Sequence, residues 1–303
     1  MGRMSQRTVH LVGATGQVGR ALRALAPAGT RLAPYGSAEV DLTDQASVDA
    51  ALAGLRRGDV VVNAAAYTAV DDAEADWKGA YALNAAGPAR LAECTAAAGA
   101  RLIQISTDYV FAVGARRAEP LEPGDLDQAT QPTSVYGASK LAGERAARAA
   151  DPQTTVVRTA WVYIGGPESR DFVGTMRRLA AGESEISVVD DQWGSPTYAL
   201  DLAAGLWDLI CAVGAPGDPT AGRVLHAAGA GRATWFQLAQ AVFAGIGADP
   251  ERVRPCSTAE FPRPAPRPAY SVLSGRSWVE AGLTPLRDWR AALTDALDAE
   301  IVS

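Results

Sequence analysis

Thr8-Val9-His10-Leu11-Val12-Gly13-Ala14-Thr15-Gly16-Gln17-Val18-Gly19 decides how this 303-residue chain folds. Residues 9–12 form an apolar run that reads as a buried strand, and helical spacing takes over at residues 17–25, directly after the glycines. Glycines between a strand and a helix let the backbone turn sharply and approach a pyrophosphate, whose charge is received by the free N–H groups of the helix N-terminus. A plain strand-to-helix turn could use the same GxxGxxG spacing. The strand before it and the helix after it favour a dinucleotide at the loop of Gly13, Gly16 and Gly19.

Working outward, residues 60–62, 102–105 and 156–161 read as further buried strands, and residues 46–55, 80–97 and 135–149 as the helices between them. This rhythm predicts an α/β protein with a doubly wound parallel sheet of the Rossmann type. It stops near Trp161, after which Gly165-Gly166-Pro167, the Asp190-Asp191-Gln192-Trp193-Gly194-Ser195-Pro196 segment and the prolines from Pro262 to Pro268 interrupt the pattern. We therefore expect residues 1–160 to form the dinucleotide-binding domain. Residues 161–303 are expected to form mainly a smaller C-terminal substrate-binding lobe, with some segments returning to the first domain.

The cofactor can be narrowed from the second strand, which ends Leu32-Ala33-Pro34-Tyr35-Gly36-Ser37 and reaches no carboxylate before Glu39. An acidic residue at that strand end usually holds the ribose 2′-OH of NAD. Its absence leaves room for a 2′-phosphate, to which Ser37 could donate, so NADPH is expected. NADH stays possible if Glu39 reaches the ribose.

Composition excludes several classes. A net charge of -6 provides no positive field for nucleic acid or an anionic membrane surface. Cys94, Cys211 and Cys256, with only His10 and His226, support neither a disulfide framework nor a zinc site. The apolar run after Arg3 and Arg7 is too short for a signal segment and no run approaches ~18 apolar residues, so a cytoplasmic protein is expected.

The chemistry centres on Ser134-Val135-Tyr136-Gly137-Ala138-Ser139-Lys140. Tyr136 and Lys140 lie one helical turn apart and share a face. A phenol titrates near pH ~10, and a neighbouring ammonium should favour the phenolate and bring the tyrosine closer to neutrality as an acid or base. Lys78 and Lys140 are the only lysines, in a chain that otherwise carries its positive charge as arginine. Ser106, Thr107 and Asp108 end the strand at Ile105, and strand ends in such a sheet border the ligand crevice.

Together the glycine loop, the strand-end hydroxyl and the Tyr-x-x-x-Lys helix resemble the extended short-chain dehydrogenase/reductase superfamily. Asn63-Ala64-Ala65-Ala66-Tyr67-Thr68-Ala69-Val70-Asp71, Ser106-Thr107-Asp108-Tyr109-Val110-Phe111, Tyr136 to Glu144 and Arg158-Thr159-Ala160-Trp161-Val162-Tyr163 narrow the resemblance to its dTDP-4-dehydrorhamnose reductase family. That resemblance implies NADPH-dependent reduction of the C4 keto group of dTDP-4-dehydro-6-deoxy-L-mannose. It makes Tyr136 the proton donor, Lys140 its partner and a holder of the nicotinamide ribose, and Thr107 a ligand of the substrate oxygen. It further implies Gly16, Gln17 and Val18 along the pyrophosphate, Asp41 and Leu42 beside the adenine, Ala64, Ala65 and Ala66 along the middle of the cofactor, and Thr107, Asp108 and Trp161 against the deoxysugar nucleotide. From the residues alone, Trp161 reads as core.

Some departures limit the resemblance. Family members that dimerise around Mg²⁺ place a carboxylate where this chain has Ala21, so no magnesium or other metal site is expected, and either a monomer or a homodimer is compatible. Ile164 and Asp171-Phe172 replace residues common near the substrate pocket. The segment from Asp190 to Thr197 matches the family and is expected to act at the pocket. The alternatives are another nucleotide-sugar epimerase or reductase, or a non-catalytic NADP-binding regulatory subunit.

Overall fold

A computed structural model describes residues 7–111, 119–126 and 131–299, so Arg3 lies outside the described residues. Six parallel strands lie in the order β2-β1-β3-β4-β5-β10: β1 (Thr8–Val12), β2 (Arg31–Tyr35), β3 (Val60–Asn63), β4 (Arg101–Thr107), β5 (Thr155–Thr159) and β10 (Val224–His226). The chain leaves β1 for β2 on one side and then crosses to β3 on the other. Such a reversal opens a crevice at the carboxyl ends of the strands. The glycine loop after β1 and Ala64 to Ala66 after β3 lie at that crevice, as a Rossmann-like sheet requires.

Strand alternation distributes the core between the two faces. Val60 and Val62 pack with α1 (Gln17–Ala24) and α8 (Ala199–Ala212), while Val61 packs toward α2 (Gln45–Ala51), α5 (Gly87–Ala98) and α6 (Val135–Ala150). A separate apolar cluster joins α7 (Phe172–Ala180), α9 (Trp235–Gly245) and α11 (Trp289–Asp298) through Met176, Phe243, Trp289 and Leu293. Three late segments return to the sheet: β10, α8 and α10 (Arg276–Glu280), whose Trp278 is buried in the first core. Among the described residues no helix is long and apolar enough to cross a membrane.

Three predicted elements differ from what forms. Strand 156–161 ends at Thr159, because Trp161 takes a left-handed backbone conformation (φ 48°), and the chain resumes as β6 (Val162–Tyr163), paired with β9 (Thr197–Tyr198). Helix 46–55 stops at Ala51, and Asp59 then accepts from the Arg56 and Thr8 amides, folding the next residues into a turn against β1. Helix 80–97 begins earlier, at α4 (Trp77–Tyr81). It passes through a π-helical turn at Ala82–Ala86 before α5.

Candidate active site

One cavity of about 1390 Å³ opens along the carboxyl ends of β1, β3, β4 and β5. Its cofactor-facing wall is largely backbone. Gly13 has φ +82°, and a Cβ there would lie 2.4 Å from the Ala65 nitrogen, so the loop and the β3 end meet closely enough to exclude any side chain. Gly19 is required for a different reason. Its own Cβ would lie 2.2 Å from the Gly13 carbonyl oxygen, so it sets how α1 packs on the loop and does not line the cavity. α1 starts at Gly16 with no side-chain cap and no acidic residue in its first turn, leaving amide donors and a positive dipole end toward the cavity.

Gly13, Gly16, Gln17, Val18, Asp41, Leu42, Ala64, Ala65 and Ala66 all have surface on this cavity. The Asp41 carboxylate accepts from the hydroxyl and amide of Thr43 at 2.7 and 2.8 Å, which hold it below the usual carboxylate range. Glu39 turns away: its carboxylate accepts from the Gly36 amide at 2.7 Å and lines none of the cavity, whereas Ser37 does. Sequence reasoning missed Arg20 and Thr159, which also border the cavity. Two buried hydroxyls that line it, Ser106 Oγ and Thr159 Oγ1, have no hydrogen-bond partner among the described residues. A backbone cradle with no room for side chains and unpaired hydroxyls beyond it fit a dinucleotide.

The reactive side chains come from β4 and α6. Ser134 caps α6 by accepting from the Gly137 amide at 3.1 Å. Gly137 in turn lets the helix approach the turn after β4, where a Cβ would lie 2.2 Å from the Tyr109 carbonyl oxygen. Tyr136 thereby lines the cavity together with Thr107 and meets the Tyr109 ring edge-on at 5.4 Å. Lys140 donates from Nζ to the Ile105 carbonyl at 2.8 Å.

Electrostatics correct the expectation of a phenol brought toward neutrality by its lysine. Burial pushes the Tyr136 phenol up to about 12, against the lowering influence of the Thr107 hydroxyl, and the Asp108 carboxyl adds to the rise. Burial also brings Lys140 down to about 8, opposed by the charge of Glu144. At neutral pH the pair is therefore a phenol with its proton and a lysine that retains its charge. Glu144 is one turn beyond Lys140 and forms a buried bidentate pair with Arg158, at 2.9 and 2.7 Å, that fastens α6 to β5.

Asn84, inside the π-helical turn, escaped the sequence reading. Its Oδ1 accepts from the Tyr67 amide at 2.8 Å, its Nδ2 donates to the Tyr67 carbonyl at 3.1 Å and to Ser139 Oγ at 3.0 Å, and Ser139 donates to the Tyr136 carbonyl at 2.8 Å. A buried asparagine thus joins the loop after β3 to the tyrosine's helix. A widened helical turn is the only local sign of it, and no residue pattern announces one.

The facing wall is aromatic. Trp161, half-buried, stacks on Trp235 with ring centroids 3.5 Å apart and planes 7° from parallel, and both line the cavity. That position corrects its residue-only reading as core. The ring lies directly over Gly194, where a Cβ would fall 2.2 Å from Trp161 Cε2. No residue from Asp190 to Thr197, Gly194 included, lines the cavity, contrary to expectation. They staple instead: Thr234 donates to Asp190, the Leu273 amide to Ser195 Oγ, and the Thr197 amide to the Trp161 carbonyl. Asp171 is likewise structural, capping α7 and accepting from the Ile164 amide at 2.7 Å and, more weakly, from Gln17 Nε2 at 3.4 Å. Ala21 is buried against the core, and among the described residues no group of three or more His, Cys, Asp or Glu could hold a metal ion.

A phenol that keeps its proton, set beside a cleft shaped for a dinucleotide, places the chain among the extended short-chain dehydrogenases/reductases. It belongs to the family described as RmlD substrate binding domain, which it matches over residues 7–301. The dTDP-4-dehydrorhamnose reductase of Mycobacterium tuberculosis is 52% identical over 98% of this chain and 95% of its own length. A Streptomyces antibioticus protein, named probable dTDP-4,6-dihydroxy-2-methyloxan-3-one 4-ketoreductase, is 49% identical over 94% of this chain and 93% of its own. Among solved structures, the Bacillus anthracis dTDP-4-dehydrorhamnose reductase in complex with NADP superimposes with a TM-score of 0.84 at 34% identity, covering 95% of this chain and 97% of that one.

Proposed function

We propose that this chain is a dTDP-4-dehydrorhamnose reductase, an NADPH-dependent oxidoreductase that reduces the C4 keto group of dTDP-4-dehydro-6-deoxy-L-mannose to give dTDP-L-rhamnose. The observation that carries this reading is the convergence of Thr107, Tyr136 and Lys140 on the one cavity bounded by the glycine cradle. Similarity to reductases of that name over nearly the whole chain supports the substrate. Bound NADPH supplies the hydride that C4 receives.

The protein's share of the reaction is placement and a proton. Gly13, Gly16, Gln17 and Val18 receive the pyrophosphate, with Gly19 setting the helix that bears them. Asp41 and Leu42 border the adenine, Ala64 to Ala66 the middle of the dinucleotide, and Ser37 the 2′-phosphate. Thr107 holds the C4 oxygen beside Tyr136, which transfers its phenolic proton as charge develops there. Lys140, charged near neutrality, stabilises the phenolate left behind and reaches the nicotinamide ribose. Asp108 offers its unpartnered Oδ2 to a sugar hydroxyl, and Trp161 with Trp235 covers the apolar sugar face. Holding C4 between a fixed donor face and Tyr136 selects one configuration of the product.

We also place a domain division near residue 160, with β10, α8 and α10 returning to the first domain, and we assign the enzyme to the cytoplasm because its reductant is kept there. The partner is a nucleotide sugar, not a nucleic acid or a membrane. The Streptomyces antibioticus relative favours one second reading, a C4 ketoreductase for a different dTDP-linked ketosugar. NADPH oxidation measured with a panel of dTDP-4-keto-6-deoxy sugars decides between them. The highest kcat/KM is expected for the L-mannose-configured ketone, and a higher value for another sugar overturns the first reading.

A further inference from the structure

The reaction as described gives the sugar's C4 oxygen, a hydroxyl and its apolar face a partner each, but it leaves the anionic diphosphate of the nucleotide sugar without a cation. Among the described residues, the cationic side chains with surface on the cavity are Arg20, Lys140 and Arg170. Lys140 is buried, donates to the Ile105 carbonyl and serves Tyr136. Arg20 stands on α1, one turn past Gly16 and Gln17, at the helix end assigned to the cofactor's pyrophosphate. Arg170 remains. It is exposed, makes no hydrogen bond or ion pair among the described residues, and lies outside every motif that carries the family resemblance.

The loop between β6 and α7 that bears Arg170 is tied down at several points. Asp171 Oδ2 accepts from the Ile164 and Gly165 amides at 2.7 and 3.2 Å, Arg177 donates to the Gly165 carbonyl at 2.8 Å, and Arg178 donates to the Pro167 and Ser169 carbonyls at 2.7 and 2.6 Å. Asp171 is thereby turned inward, with no surface on the cavity, while Glu168, Ser169 and Arg170 do border it. Two residues beyond Arg170, the Phe172 ring packs against Trp235 with centroids 4.6 Å apart, which joins the loop to the aromatic, sugar-facing wall. We propose that Arg170 binds the diphosphate of the nucleotide sugar and so makes the site select a nucleoside diphosphate over a nucleoside. A guanidinium presents a planar fork that matches phosphate oxygens in pairs, and a backbone already fixed loses little freedom when it binds. Glu168 repels an anion at the same loop, so a diphosphate there requires the cation. The competing occupant is the cofactor's pyrophosphate, because Asp171 reaches Gln17 Nε2 of α1 at 3.4 Å. That group already has the free amides of α1 and Arg20, whereas the sugar's diphosphate has Arg170 alone.

This proposal rests on the functional reading above, and a binding experiment separates the two. Calorimetric titration of the native protein and of Arg170→Gln with dTDP, thymidine and NADP⁺ compares the three ligands without turnover. The dTDP Kd should rise about tenfold or more, the usual worth of a hydrogen bond to a charged group, while the thymidine and NADP⁺ values stay within about twofold. Arg170→Lys keeps the charge and loses the fork, so it should recover part of the dTDP affinity; a lysine variant no better than glutamine overturns the role of the charge. In the steady state, Arg170→Gln should raise KM for the ketosugar with little change in kcat, as expected of a group that holds substrate and transition state alike. Equal rises for dTDP and thymidine would mean that Arg170 only shapes the pocket, a rise confined to NADP⁺ would assign it to the cofactor, and no rise would leave it without a ligand; each overturns the proposal. A native protein that shows the predicted binding pattern yet oxidises no NADPH with the ketosugar overturns the functional reading and leaves the diphosphate site standing. An active reductase whose dTDP affinity is indifferent to Arg170→Gln overturns the diphosphate site alone.

Discussion

The wall from Gly13 to Ala66 is mostly backbone, while the wall from Trp161 to Trp235 is built of large side chains held in place by distant parts of the chain. In the function proposed, the first receives phosphates and ribose through amides and a helix end, which requires small residues at fixed local spacing. In the same proposal the second receives the sugar, and its shape depends on contacts such as Gly194 beneath the Trp161 ring. Cofactor binding here is a local property of a strand, a loop and a helix. Substrate binding is a property of the whole tertiary structure.

Tyr136 stands where the two walls meet, and its replacement has the largest expected effect. Tyr136→Phe should lower kcat by about 10²–10⁴-fold, the usual worth of a positioned acid. NADPH affinity, read by fluorescence titration, should hardly change; a large loss of affinity would show that the tyrosine belongs to the cofactor wall instead.

Stability should respond most at the fastening of α6 to β5. Glu144→Ala leaves Arg158 charged and buried, at a cost of roughly 3–5 kcal/mol. Urea unfolding measures it, and a loss under ~1 kcal/mol would mean that water reaches the pair.

A matched pair of glycine variants tests the contrast itself. Gly13→Ala forces a side chain into a left-handed conformation, at ~1–2 kcal/mol before any overlap with Ala65, so NADPH Kd should rise about tenfold or more. Gly194→Ala pushes the Trp161 ring, an overpacking worth ~1–3 kcal/mol, and should raise KM for the ketosugar while sparing NADPH Kd. If either variant harms both ligands equally, the walls are not independent.

The smallest effect concerns pH. His226 is buried beside Arg158, and burial first, then that positive charge, press it down to about 3. The unfolded chain takes up this proton near pH ~6.5 and the folded chain does not, so the His226 contribution is intact above that pH and is lost as pH falls toward 3. His226→Gln should flatten the fall in unfolding free energy across that interval. An unchanged slope would assign the acid sensitivity to other groups.

Legibility in the sequence follows the same division. The parallel sheet, the cradle and the Tyr136–Lys140 helix could be read because each depends on residues within one or two turns of each other. The break at Trp161 could not, because it is stabilised by Trp235 and Gly194, far along the chain. Asn84 was hidden for a related reason: its value lies in joining Tyr67 to Ser139 and, through it, Tyr136, two segments that only the fold brings to it. The direction of the Tyr136 shift was also missed, since spacing shows the neighbouring lysine but not the depth of burial that outweighs it.

The central claim is that one cavity brings NADPH and a C4 ketosugar together at Tyr136. Its most direct test follows NADPH absorbance with dTDP-4-dehydro-6-deoxy-L-mannose generated in place, together with identification of the product. Oxidation that depends on the ketosugar and yields dTDP-L-rhamnose is the predicted result. Absence of oxidation, or formation of the C4 epimer, would contradict it.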